Sequence, residues 1–321
     1  MHVHPDLRAL RADDTPQRAA QAELAAAAQR WRADARVAEV LADVDAFATC
    51  RPLAECAALS ALFDETAPDA RDLAASFVRA ATAVLAAQPL GHVVERHFTD
   101  GTLSLLQLAR AGNVSLALVA LDGAGLAARP EPRSVDFGPN EMWEHVIVGS
   151  GEADLVECRA VADNRADLRR RAIALHPGKV ICRDADRQSL LVRRIDGCLV
   201  SLRLQRRRAA AGVTREFALA DGALIHQAAG NPRDSRVEMM LALLGRMGRS
   251  DAAPLAAAIA REPGSAGMRW QALREALALD TLAGMRALAA LAADPADELH
   301  QPASALRAQL VTLHPQLAEI A

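Results

Sequence analysis

Aromatic residues are scarce in this chain of 321 residues. They account for 3% of it, and there is no tyrosine at all. Alanine and leucine fill the interior instead, which favours closely packed helices over large aromatic pockets. Lysine is nearly missing too, since Lys179 is the single lysine among 37 basic residues. With this bias towards arginine, an arginine cluster carries less functional meaning here than in a chain of average composition.

Signals for export, membrane insertion and disulfide bonding are also missing. Residues 1–10 lack a cationic start followed by an apolar core, and no apolar run approaches the roughly 20 residues needed to cross a bilayer. We therefore expect a cytoplasmic protein with no membrane partner. The cysteines form no CxxC pair, and their odd, scattered set favours reduced thiols. They are Cys50, Cys56, Cys158, Cys182 and Cys198.

The charge balance argues against a nucleic-acid partner. The formal net charge is −3 and the sequence pI is about 6.3. Two arginine runs, at 169–171 and 203–208, have no interleaved aromatics and predict solvated segments, although they offer sites for an acidic or phosphate-bearing partner. The chain has no phosphate-binding loop and no serine nucleophile elbow. Cys182 and Cys198 lie in apolar stretches and are expected to be buried core residues rather than nucleophiles.

Residues 1–90 have a helical pattern. Thr15 followed by Pro16 is a helix start signal, with an oxygen cap and a proline at the first helical position. Another helix is predicted over residues 69–88, where apolar residues recur at helical spacing. These residues are Leu73, Phe77, Ala80, Ala81 and Val84.

Apolar residues alternate between residues 91 and 232, which is typical of β-strands. Hairpins are predicted around three glycine turns, at Gly112–Asn113, Gly149–Gly151 and Asp196–Gly197. Short strands at this spacing, with no helices between them, indicate an antiparallel sandwich or barrel.

Helical patterns return over residues 233–321. Ser235 and Glu238 form a capping box before a helix whose core is expected to include Met239 and Met240. Beyond it the chain contains an internal repeat with an offset of about 32 residues, each unit being a helix, a proline-containing connection and a second helix. The repeated segments are 258–263 with 290–295, and 272–277 with 305–310.

Two motifs in the middle region carry a family resemblance. Glu144 and Gly151 have the spacing E-x6-G, and the turn at Pro177–Gly178 precedes another strand. Residues of about 92–230 resemble the cupin superfamily, small β-barrels that hold a divalent metal with three histidines and a glutamate. The repeat resembles HEAT-type helical repeats. Together these resemblances imply an α+β chain: a cupin-like antiparallel β-barrel or jelly roll flanked by an N-terminal helical region and C-terminal α-helical repeats.

The metal ligands of the cupin motifs do not carry over to this chain. The first two histidine positions fall on Phe137 and Pro139, or on Gly138 and Asn140 with the shorter gap, and the third falls on Ser189. Glu144 is the one ligand retained, and a single carboxylate does not hold a divalent transition metal. We therefore expect no metal and no cofactor, with Glu144 paired to an arginine or a hydrogen bond, or protonated. Arg183 and Arg193 are nearby in strand order.

A relocated metal site stays an alternative. Glu95 and His97 share one face of a strand, and His145 and His226 are further candidate ligands for iron or another divalent transition metal. His145 follows Glu144 directly, so the two side chains should point to opposite faces of the strand. The competing interpretation is that these histidines are structural or surface groups.

The sequence thus predicts a non-catalytic binding or scaffold protein. The barrel would bind a small molecule, with Glu144, Ser189 and Arg183 as ligand-binding candidates, and the C-terminal helices would contact a protein partner. The alternative is a cupin-type dioxygenase or hydroxylase with relocated metal ligands, acting on a small molecule or a peptide. No catalytic residue is assigned, and a homodimer is left open.

Overall fold

The computed structural model describes residue 10 and residues 13–208, 212–230 and 232–319. Contacts between these residues group into two compact units. The first contains the described residues up to Val135, then 140–208 and Ala218–Ala223. The second contains 136–139, 212–217 and the described residues from Leu224 onwards. The N-terminal helices therefore belong to one unit with most of the β-structure, and the division into three domains stays a prediction.

Helices fill the N-terminal region, as the sequence predicts. The first helix begins within one residue of the predicted start, with Asp14 at its N-cap and Thr15 as its first residue. The second is capped by the Asp34 side chain, which accepts hydrogen bonds from the backbone N–H groups of Arg36 and Val37. The helices are α1 (Thr15–Arg32), α2 (Ala35–Ala48), α3 (Ala57–Ala61) and α4 (Asp69–Ala87).

The described strands form two antiparallel sheets. The first five strands are β1 (His97–Thr99), β2 (Leu103–Ala111), β3 (Val114–Asp122), β4 (Ser134–Phe137) and β5 (Asn140–Ala162), with a short helix α5 (Gly123–Ala127) after β3. The others are β6 (Arg165–Leu175), β7 (Val180–Asp184), β8 (Gln188–Arg207), β9 (Val213–Ala218) and β10 (Leu224–Ala229). The larger sheet has the order β1-β2-β3-β8-β5-β6, with β7 also paired to β5, and the smaller has the order β10-β9-β4.

The prediction of a closed barrel is wrong for the described strands. The larger sheet runs from β1 at one edge to β6 at the other, and no pairing among these strands joins the two edges. The structure is therefore a mixed helical and antiparallel-sheet fold with an open sheet.

Two of the three predicted hairpins are continuous strands instead. The hairpin at Gly112–Asn113 is confirmed, because it joins β2 to β3. Gly149 lies inside β5, and Gly197 lies inside β8. Both have positive φ, 89° and 73°, and the pairing of β5 with β8 shifts register beside them. Each glycine therefore forms a bulge in a long strand, where a turn was expected.

One face of the larger sheet packs against the N-terminal helices. Phe47 of α2 is fully buried and meets Trp143 of β5 edge-on, with the ring centroids 5.6 Å apart. Leu202 and Leu204 of β8 belong to the same core, and Arg206 lies over the Phe47 ring, 4.0 Å from its centroid. The opposite face has its own smaller cluster, which includes Val146 and Ile181.

The C-terminal region is helical, and the repeated segments occupy equivalent places in it. The helices are α6 (Pro232–Arg246), α7 (Ala253–Arg261), α8 (Ala266–Leu279), α9 (Thr281–Ala293) and α10 (His300–Leu313). Segments 258–263 and 290–295 cover the ends of α7 and α9, whereas 272–277 and 305–310 lie within α8 and α10. In the part of the chain that the structure describes, no helix combines the length and apolar character required to cross a membrane.

Three local predictions fail. Helix α6 begins at Pro232, so Ser235 lies inside it and its hydroxyl donates to the Ala229 carbonyl at 3.2 Å instead of forming a capping box. Met239 and Met240 are exposed, not core, residues. Cys182 and Cys198 are exposed as well, because they lie at margins of the sheet: among the described strands β7 is paired with β5 alone, and Cys198 pairs with Asp122, the last residue of β3.

Candidate functional site

Glu144 lies in the middle of three paired strands. In β5 it is opposite Ile181 of β7 on one side and Arg203 of β8 on the other. Residues directly opposite on neighbouring antiparallel strands project to the same face, so Glu144 and Arg203 meet. Arg183, two positions beyond Ile181 in β7, projects to that face too.

Guanidinium groups occupy both oxygens of the Glu144 carboxylate. Arg203 donates to Oε1 from Nε at 2.9 Å and from Nη2 at 2.6 Å. Arg183 donates to Oε2 from Nη2 at 3.1 Å. Charge-assisted hydrogen bonds of this kind are roughly twice as strong as neutral ones. Of the three outcomes expected for Glu144, which were an arginine partner, another hydrogen bond or protonation, the structure has the arginine partner.

The cluster is buried but can be reached from one side. The side chains of Glu144 and Arg183 are 7% and 8% exposed, whereas that of Arg203 is 23% exposed. Burial has the largest single influence on the Glu144 pKa and raises it. The charges of Arg203 and then Arg183, with the Arg203 hydrogen bond, outweigh burial and hold the pKa below its ordinary value. The carboxylate is therefore ionised at neutral pH.

Polar side chains extend the cluster along the same face. Gln205 donates from Nε2 to Asn140 Oδ1 at 3.0 Å, and Arg183 Nη2 is 3.4 Å from the Met142 sulfur. The three charged side chains include two guanidinium groups and one carboxylate. This excess of one positive charge suits a small anion approaching from the Arg203 side.

The cluster does not fit a divalent metal ion. Glu144 already has a guanidinium group at each oxygen, and a metal bound there would have to displace them and tolerate their charge nearby. Metal binding at Glu144 is therefore unfavourable.

The predicted ligand-binding residues do not all lie together. Arg183 contacts Glu144, but Ser189 pairs with Val156, beyond the bulges of the two long strands. Arg193, the second arginine expected near Glu144, instead forms an ion pair with Asp154, with Nε and Oδ1 3.4 Å apart. Ligand binding by Glu144, Ser189 and Arg183 stays a prediction.

The residues of the relocated metal site have partners of other kinds. His97 Nδ1 donates to the Glu95 carbonyl at 3.0 Å, and Glu95 Oε1 lies 3.7 Å from Arg32 Nη2. His145 is buried and donates from Nδ1 to the Leu62 carbonyl at 2.7 Å, on the face opposite Glu144. His226 lies exposed on β10 in the second unit. Among the described residues, no group of three or more His, Cys, Asp or Glu has an arrangement that could hold a metal ion.

Arg203 is the site residue that sequence reasoning missed. The sequence predicts a solvated arginine run at this position, yet Arg203 makes the closest contact to Glu144. The signal that could have found it is the β5–β8 register, which pairs positions 59 residues apart.

An apolar cavity lies elsewhere in the first unit, along strands β1 to β3. Its volume is about 430 Å³, and its lining includes His92, His97, Phe98, Leu105 and Val119. It suits an apolar small molecule, but it brings no set of charged groups together.

Comparisons with known proteins give a faint likeness. No family model matches the chain, and no curated protein matches it. Among solved structures, a cupin superfamily protein from Desulfitobacterium hafniense is 14% identical over 35% of this chain and 83% of its own, with a TM-score of 0.24. Ectoine synthase from P. lautus is 10% identical over 35% and 68%, with a TM-score of 0.24. Vicilin from Capsicum annuum is 19% identical over 38% and 32%, also with a TM-score of 0.24. Similarity at this level carries no argument about fold or activity.

Proposed function

We propose that this protein is a non-catalytic binding protein. A cupin-like β-region binds a small molecule that carries a carboxylate or another oxyanion, and a C-terminal surface of HEAT-like helices contacts a protein partner. The observation that carries the proposal is the Glu144 carboxylate held at both oxygens by Arg203 and Arg183.

Electrostatics favours an anion over a metal at this cluster. A cation would be repelled by two guanidinium groups. An anion would instead supply a second negative charge and so neutralise the positive charge left over after Glu144 pairs with the two arginines. A hydrogen bond to a charged group contributes about 1.5–3 kcal/mol, more than a neutral one. Arg203 is the contact residue we expect for the ligand, because its side chain is the most exposed of the three. Glu144 fixes the orientation of its guanidinium group.

A thermal-shift panel tests the binding of an acid. Small mono- and dicarboxylates are compared with their uncharged amides on the wild type, on Arg203→Gln and on Arg194→Gln. Arg194 is the matched control, since it pairs with Glu152 and Asp196 at an exposed position. We expect at least one carboxylate to raise Tm in the wild type and in Arg194→Gln, but not in Arg203→Gln. Equal shifts with the amides, or no shift with any acid, would contradict the proposal.

The alternative function is a metal-dependent dioxygenase or hydroxylase. It would require ligands other than Glu144, drawn from Glu95, His97, His145 and His226. Metal bound in proportion to protein, and lost when these residues are replaced by alanine, would favour that alternative.

A further inference from the structure

Helix α6 exposes apolar side chains that a helix normally buries. Met239, Met240, Leu243 and Met247, the last just beyond the helix, are 66%, 60%, 57% and 58% exposed. At 3.6 residues per turn they lie within one arc of about 100°. The buried face of the helix lies on the other side, where Leu241 packs in the core of the C-terminal helices. Contiguous exposed apolar residues of this kind mark an interaction surface.

Arginines flank this stripe. Arg233 and Arg246 are exposed on either side of it, and Arg236 is exposed between them. In the described part of the chain, neither Arg233 nor Arg246 has an ion-pair partner. The two carboxylates of the helix lie outside the arc: Asp234 is buried and Glu238 is partly buried. We call the four apolar residues and the three arginines the Met–Arg face.

We propose that the Met–Arg face binds an amphipathic helix of another protein, one whose apolar stripe is flanked by Asp or Glu. This inference rests on the protein-binding part of the proposed function and gives it a surface and a partner chemistry. Methionine side chains are flexible and polarisable, so they adapt to an apolar helix laid against them. Arg233 and Arg246 then meet carboxylates at the rim of the contact, which sets the charge of the preferred partner.

Charge argues against a second copy of this chain as the occupant. In a symmetric dimer the Met–Arg face would contact itself, and it carries arginines with no carboxylate among its residues. Such a contact would bring Arg233 and Arg246 close to the same residues of the second copy, so like charges would meet.

The composition of the face argues against a membrane surface. Helices that lie on membranes bury aromatic and leucine side chains and keep their cations on the opposite, solvated face. Here three of the four apolar residues are methionine, no aromatic is present, and the opposite face is packed in a protein core.

Peptide binding tests the inference with the full chain. Synthetic amphipathic helices of about 18 residues share one leucine stripe and differ only in flanking charge, all Glu or all Arg. Fluorescence anisotropy at physiological salt measures their binding. We expect the acidic peptide to bind at least about tenfold tighter than the basic one. The double variant Met239→Ser/Leu243→Ser should lose this binding, and Arg233→Glu/Arg246→Glu should reverse the charge preference.

Leu313→Ser removes a comparably exposed apolar side chain, 64% exposed, on helix α10 and should change nothing. Equal binding of both peptides would overturn the inference. The inference would also be overturned if the protein bound phosphatidylserine vesicles in preference to the peptides, or if it self-associated, and if that behaviour were lost in the same variants. The carboxylate thermal shift, measured on the same preparations, separates the two proposals, because Arg203 is outside the Met–Arg face.

Discussion

Glu144 and Arg203 lie directly opposite each other on β5 and β8, and Arg203 donates two hydrogen bonds to the single oxygen Oε1. The other oxygen, Oε2, is left to Arg183. The Glu144 carboxylate is therefore the shared acceptor of two cations. This arrangement explains how one acidic side chain remains ionised in the middle of a sheet.

Replacing Glu144 by glutamine should destabilise the protein strongly. The substitution keeps the shape of the side chain but leaves Arg183, only 8% exposed, and Arg203 without the charge they share. Breaking a buried ion pair in this way typically costs about 3–5 kcal/mol of unfolding free energy. Urea denaturation measures the loss. The control is Glu152→Gln, at an exposed pair with Arg194, where we expect a change below about 1 kcal/mol. If both variants lost the same unfolding free energy, the buried cluster would stabilise the protein no more than an exposed ion pair does.

The stabilising effect of Glu144 should vanish in acid. Its folded-state pKa is lowered, so its contribution is fully present above the unfolded-state pKa of about 4.3 and is lost as pH falls through the folded-state value. The difference in unfolding free energy between the wild type and Glu144→Gln should be constant from about pH 6 to 8 and shrink below about pH 4.5. A difference that grows on acidification would mean that the pKa of Glu144 is raised.

Gly149 should tolerate no side chain, because β5 passes close to β8 at the bulge. A Cβ there would lie 2.2 Å from the Cys198 carbonyl oxygen, and the residue has a φ of 89°. Gly101 has nearly the same φ, 88°, with no atom within 4 Å of the added Cβ. Alanine at either position costs about 1–2 kcal/mol for the backbone conformation. We expect Gly149→Ala to lose at least about 2 kcal/mol more than Gly101→Ala in urea denaturation. Equal losses would rule out the close approach.

A buried ion pair should also stabilise the C-terminal helices. Arg269 of α8 is 8% exposed at its side chain, donates from Nε to the Ala260 carbonyl at 3.0 Å and pairs with Asp297 before α10. Asp297→Asn removes the charge opposite a buried guanidinium and should cost about 2–3 kcal/mol. Asp251→Asn, at an exposed pair with Arg249, should have little effect. Thermal unfolding followed by circular dichroism compares the two.

The sequence predicts the helical ends of the chain and the strand-rich middle, because hydrophobic periodicity is a local signal. It fails at Gly149 and Gly197, because a glycine with positive φ serves a bulge within a strand as well as a turn between strands. The sequence also fails at Met239, since a helical apolar pattern does not reveal which face of the helix is buried against the rest of the protein.

The candidate site is likewise predicted from the sequence only in part. That Glu144 needs a counter-charge follows from the cost of burying a carboxylate alone. Arg203 supplies this counter-charge because of the register between β5 and β8. That register pairs two residues that are 59 positions apart, and no local sequence pattern specifies it. The open edges of the sheet likewise depend on pairing over long range.

Elemental analysis of protein purified from cells grown in rich medium tests the central claim most directly. If Glu144 is held by Arg203 and Arg183, the protein should retain less than about one-tenth of an equivalent of any transition metal. Iron, manganese or nickel bound in a one-to-one ratio, and lost in Glu144→Gln, would show that a metal ion takes the place we assign to the two arginines.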